Sequence, residues 1–210
     1  MMIAAVSRLS GDYAESQRCL LEAIALAGEI GDLELETSAR GNLGVVHHLI
    51  GDATGSLEAY RAAEGFYLTN LEASMKLETR QQQVICHANL AQLYLRLGRP
   101  NDVGAHLDRA LRDALDIGRT ADLGICLIIE AELRLSVGDV EGALMLVGAL
   151  QSDPRAGEED EQEIERLLQR ANLDDEVIRL GTLRGQGRDI VELGQAIAIS
   201  RAAGTSAVVQ

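Results

Sequence analysis

Residues 41–52 read GNLGVVHHLIGD, three glycines and two adjacent histidines within twelve residues. Such a stretch could cradle a phosphate, hold a metal ion, or serve packing alone. A phosphate loop follows a strand and opens a helix with its glycines. Here helical sequence precedes the last glycine and no strand is in sight, which argues against it. His47 and His48 are neighbours on a helix and so point ~100° apart, too divergent to share one metal. His87 and His106 add no ligand spacing. The reading left is architectural. Gly44 is expected where two helices of a hairpin touch, and Gly51 at the turn. His47 is expected at a packing position equivalent to Tyr94, and His48 half-exposed toward an inner face.

Other residues that could do chemistry are dispersed. The sequence contains no GxSxG, HExxH or GxxxxGK[ST] pattern. RGQGRD at 184–189 has two glycines, but its arginines flank a turn, and a connector is expected. Cys19, Cys86 and Cys126 are odd in number and widely spaced; they read as buried small hydrophobes in a reducing compartment, not as zinc ligands. GEEDEQEIE at 157–165 reads as a solvated helix start. No enzyme activity, metal or cofactor is expected.

The formal charge of the 210 residues is −14. That surface repels nucleic-acid phosphates and anionic lipid headgroups, so neither is expected as a direct partner. A basic or neutral peptide is easier to accommodate. No apolar run reaches the ~20 residues of a membrane span. MMIAAVSRLSGD has no basic start and no long apolar stretch, unlike a signal peptide, and a cytoplasmic location is expected.

The elements that must position these residues are helices. Proline occurs only twice, aromatic residues make up 2% of the chain, and leucine and alanine are the commonest residues. A glycine, a polar residue and a helical pattern recur at Gly11, Gly51, Gly98 and Gly138, at spacings of 40, 47 and 40 residues. A second mark, Gly31 and Gly118, lies 87 residues apart and obeys the same period. Each unit thus reads as helix, glycine turn, helix, with Asp12, Asp52 and Asp139 as caps of the helices that follow. The middle unit lacks its second glycine and has seven extra residues, two helical turns, so its helices can lengthen without changing face. Apolar residues recur at three and four spacing, as in Cys19, Leu20, Ala23, Ile24 and Ala27, or Leu90, Leu93, Tyr94 and Leu97.

The pattern resembles the tetratricopeptide repeat family, in its long-repeat bacterial form. Small residues stand where helices meet and large ones beside them: Leu43, Gly44, Ser56, Tyr60 and Ala63 in the second unit, Leu90, Ala91, Val103, Leu107 and Ala110 in the third. The first retains Ile3, Ala4, Ser16, Leu20 and Ala23. The fourth keeps Ala131 and Ala143 but has Glu130 and Arg134 where apolar residues are usual. The resemblance implies an all-α protein, an α-solenoid of stacked antiparallel helix hairpins over 1–152. Residues 153–200 form a helical extension that caps it, and 201–210 a frayed tail. In the extension, a helix over 155–171 turns Ile164, Leu167 and Leu168 inward, followed by helices at roughly 174–183 and 188–200.

The stretch from ERLLQR through LDDEVIRLGTLRGQGRDIVEL is also similar to the C-terminal ends of large bacterial signalling ATPases and transcriptional regulators, which implies a sensor array. The chain starts inside the first helix of its first unit. Either copies associate through that open helix, or a longer relative carries further repeats upstream. The leading functional expectation is a scaffold that binds a peptide or partner helix on the concave face of the solenoid. By helical phase that face carries Ser38, His48, Gln92, Arg96 and Glu132, with Arg96 a cation suited to a carboxylate. The runner-up is a regulatory array that binds an effector for an attached or separate transcription or ATPase module.

Overall fold

The computed structural model describes residues 12–203, and these are all-helical, with ten helices and no strand among them. In order they are α1 (Tyr13–Ile30), α2 (Leu33–Thr54), α3 (Leu57–Lys76), α4 (Arg80–Arg96), α5 (Pro100–Ile117), α6 (Thr120–Ser136), α7 (Val140–Ser152), α8 (Glu158–Ala171), α9 (Asp175–Leu183) and α10 (Ile190–Ala202). The turn at Gly11, the truncated first helix and the tail beyond 203 lie outside the described residues. Contacts divide the chain between Val103 and Gly104 into two units.

The helix ends follow local chemistry. The carboxylates of Asp12, Asp32 and Asp139 accept from the backbone N–H of Glu15, Leu35 and Gly142 at 3.1, 2.9 and 2.9 Å, each satisfying an otherwise orphaned donor. At the other end of α1, Gly31 takes φ +71°, and Asp32 N–H donates back to Ala27 carbonyl at 2.9 Å.

Two expected boundaries shift in the second hairpin. Gly51 is not the turn: α2 continues to Thr54, and Gly55, at φ +69°, ends it. Ser56 then caps α3, its hydroxyl accepting from Ala59 N–H at 3.2 Å. Asp52 is therefore not a cap. The reason is that a glycine inside a helix and a glycine ending one look alike before a polar residue. The extra residues of this repeat lengthen α2 to 22 and α3 to 20 residues, and the turn after α3 places a non-glycine, Glu78, at φ +55°.

In the first unit each helix packs on its chain neighbour, α1 on α2, α2 on α3 and α3 on α4, and α2 also meets α4. The register between α2 and α3 is antiparallel and built on glycines. Gly51 faces the Tyr60 ring, Gly44 faces Tyr67, where a Cβ would stand 2.8 Å from the ring, and Gly41 faces the Asn70 amide. Numbers fall along one helix as they rise along the other. Between α2 and α4 both rise together: Gly41 lies near Gln82, and Asp52 near Arg96. Those two helices run the same way. Leu20, Ala39, Leu43 and Val46 form a buried cluster, with Cys19, Ala23, Ile24 and Phe66 packed against it.

In the second unit α6 and α7 pair. The extension does not trail away. Helix α8 packs on both α6 and α7, α9 on α7, and α10 on α6. Residues 142–150 of α7 are all buried, as an all-round apolar helix requires. Gly148 lies against the Thr182 carbonyl and Gly185 against that of Met145, so α7 and the α9 end approach to backbone contact. RGQGRD is the connector expected, and Gly187 N–H in it donates to Ser152 Oγ at 3.0 Å. Ile164 and Leu167 turn inward and are buried, while Leu168 is half-buried.

Glu130 and Arg134, the departures from the repeat pattern, are buried at 4% and 5% exposure. They pair with each other at 2.9 Å. Arg134 also reaches Asp139 at 3.2 Å, and Glu130 receives Arg201 of α10 at 3.1 Å. Arg201 further bonds Asp108 and donates to the Gly104 carbonyl at 3.3 Å. Charge enters this core because each carboxylate finds a guanidinium.

Candidate functional site

The five residues expected on the binding face fall into two groups. Ser38 on α2 and Gln92 on α4 are half-buried. His48, Arg96 and Glu132 are committed within the protein. Glu132 belongs to the second unit and pairs with Arg170 at 3.4 Å.

His48, expected half-exposed, is buried at 5% exposure. The close α2–α3 approach allowed by the glycines brings two tyrosine rings over it, Tyr60 and Tyr67, edge to face at 5.9 and 6.2 Å. Its Nδ1 is 3.4 Å from the Tyr67 hydroxyl, and its Nε2 is 3.8 Å from Asp52 Oδ1. His47 takes the packing role expected. It stacks on Phe66 at 5.4 Å and meets the Gln17 amide at 3.3 Å, and partial burial lowers its pKa.

Asp52 is the centre of this cluster, and the sequence reading missed it by treating it as a cap. One oxygen, Oδ1, accepts from Tyr60 Oη at 2.9 Å and from Arg96 Nε at 3.1 Å. It joins three helices, its own α2, then α3 and α4. Arg96 therefore holds a carboxylate of its own chain. The available signal was Gly55–Ser56, a second turn-and-cap pair four residues on, which makes Asp52 redundant as a cap.

A second joint repeats the arrangement on α3 and α4. Glu64 Oε1 accepts from Tyr94 Oη and from Arg99, both at 2.9 Å, and the Arg99 guanidinium lies 4.2 Å over the Tyr94 ring. Burial first, and then the bond to Glu64, push the Tyr94 phenol up to about 12.

The cysteines are free; Cys86 and Cys126 are buried and Cys19 is half-buried. Burial raises all three thiols, Cys86 to about 11. Among the described residues no group of three His, Cys, Asp or Glu is placed to hold a metal ion. Nor is any helix there long and apolar enough to cross a membrane.

The fold and its joints define a helical-repeat-like all-α protein. Comparisons with known protein families, curated proteins and solved structures return no match.

Proposed function

We propose that this chain is a protein-interaction scaffold of the tetratricopeptide kind, an α-solenoid that binds a peptide or partner helix on the face carried by α2 and α4. The observation that supports this is their shared direction. Gly41 meets Gln82 and Asp52 meets Arg96, so first helices of successive hairpins lie side by side. A face made this way presents one polar side chain per turn from each helix to a ligand. Ser38 and Gln92 are the contacts available for it, and His48, Asp52 and Arg96 keep α2 and α4 in register beneath it.

Selection of a random peptide library on the purified protein tests this reading. Peptides held by the wild type and lost by a Ser38→Arg, Gln92→Arg variant of unchanged circular dichroism support it. Peptides held equally by both sink it. The second reading is a regulatory array for a signalling ATPase or transcription module. The folding of α8, α9 and α10 onto α6 and α7 favours it, because it packs further helices on the repeat pair that an effector could shift. Stabilisation by a small-molecule effector, with no peptide selected, would favour the array.

A further inference from the structure

Between the end of α7, one side of α8 and the start of α9 lies an open groove of about 640 Å³. Ile164, Leu168, Leu173 and Ile178 make its floor. Ile164 is buried, and the other three are half-buried. Glu161, Glu165 and Asp175 stand on its rim, and among the described residues no lysine or arginine lines it.

The carboxylates on this rim differ from their neighbours in one respect. Just off the groove, Glu163 pairs with Arg166, and Glu176 with Arg179 at 2.6 Å. Arg170 turns away to Glu132. Each arginine of α8 and α9 is thus engaged by a carboxylate outside the groove. Among the described residues Glu161 and Asp175 meet no basic side chain, and Glu165 accepts only from the neutral Gln169 amide, at 3.3 Å. Three negative charges without counter-cations border an apolar floor.

We propose that this groove binds a cationic amphipathic segment of a partner protein, its leucine-like side chains on the floor and its lysines or arginines against Glu161, Glu165 and Asp175. The volume is that of a ligand pocket, but an open cleft leaves most of a small molecule wet. A chain laid along it buries one stripe and keeps the other in water. Exposed ion pairs contribute little singly, but three carboxylates beside low-dielectric surface act together on encounter rate and salt dependence. This site lies on other helices than the α2–α4 face, so the two readings fail separately.

The test is fluorescence anisotropy with a labelled helix-forming peptide that has leucine on one face and lysine on the other. Two comparison peptides replace lysine by glutamate, or leucine by serine. The wild-type chain binds the leucine–lysine peptide, and each comparison peptide is weaker by about tenfold or more. Glu161→Lys, Glu165→Lys, both exposed positions, weakens binding by a similar factor. Glu58→Lys, Glu72→Lys, an equal charge change on exposed positions of α3, leaves it within about twofold. Salt that shortens the Debye length from about 10 to about 3 Å weakens the wild type toward the groove variant. Equal loss in both charge-reversed variants would assign the binding to bulk acidity and overturn the proposal. Absence of binding, or equal binding of the serine–lysine peptide, would also overturn it.

Discussion

Gly148 of α7 sits directly against the carbonyl oxygen of Thr182, so close that a Cβ on the glycine would overlap it. The obstacle is backbone, not a side chain that can swing away, so α9 as a whole must move to admit a methyl group. Overpacking of this kind costs ~1–3 kcal/mol or more, against a helix-propensity gain from alanine of ~1 kcal/mol. Gly148→Ala is therefore expected to destabilise by ~2 kcal/mol. Gly65, in the middle of α3, has nothing within 4 Å of its would-be Cβ. Gly65→Ala is expected to stabilise by ~0.5–1 kcal/mol. Denaturant titrations followed by circular dichroism read both, and the same sign for the two would contradict the packing described.

The glycines also explain how far the sequence could be read. Turns at Gly31, Gly98, Gly118 and Gly138 were legible because each needs a left-handed backbone and is followed by a new helix. Gly51 was misplaced because close helix contact selects glycine just as a turn does, and the ring that selects it, Tyr60, lies nine residues away on another helix. Asp52 was misread with it. Periodicity gives the face a residue occupies, and the expectation for Ser38 and Gln92 rests on it alone. It does not give the partner across the interface, so the ties of His48 to the tyrosines, of Arg96 to Asp52 and of Glu132 to Arg170 were invisible.

Glu130 and Arg134 make a second prediction. Both are buried and bonded at 2.9 Å, and Arg201 completes the carboxylate's shell at 3.1 Å. Arg134→Met strands part of a buried negative charge and is expected to destabilise by ~3 kcal/mol. Glu130→Leu together with Arg134→Met removes both charges and leaves Asp108 to hold Arg201. The double variant is expected to recover at least half of that loss. Unfolding free energies that simply add would show that the two side chains do not depend on each other.

The thiols should separate by exposure. Only thiolate reacts with an alkylating reagent, and burial raises all three pKa values. Cys126 is wholly enclosed and Cys86 nearly so, while Cys19 is half-exposed beside Glu15. In native buffer Cys19 is expected to be labelled by iodoacetamide first, Cys86 later, and Cys126 only on unfolding. Mass spectrometry of tryptic peptides over a time course reads the order. Cys126 labelled as fast as Cys19 would mean that α6 is not packed as described.

Tyr94 sets an alkaline limit that can be assigned to one hydroxyl. The folded protein holds its phenol up to about 12, against an ordinary value of 10, because burial disfavours the phenolate and Glu64 accepts its proton at 2.9 Å. A raised folded pKa means that the folded state keeps a proton the unfolded chain gives up. The contribution to stability is complete below the unfolded value of about 10 and is lost as pH rises toward 12. Tyr94→Phe removes the titrating group, keeps the ring under Arg99, and costs the hydroxyl's hydrogen bond, ~1 kcal/mol at neutral pH. The wild type should therefore start more stable and lose that advantage as pH climbs above 10. Urea midpoints of the two proteins over this range read the convergence. Parallel curves would show that neither burial nor Glu64 raises the Tyr94 phenol in the folded protein.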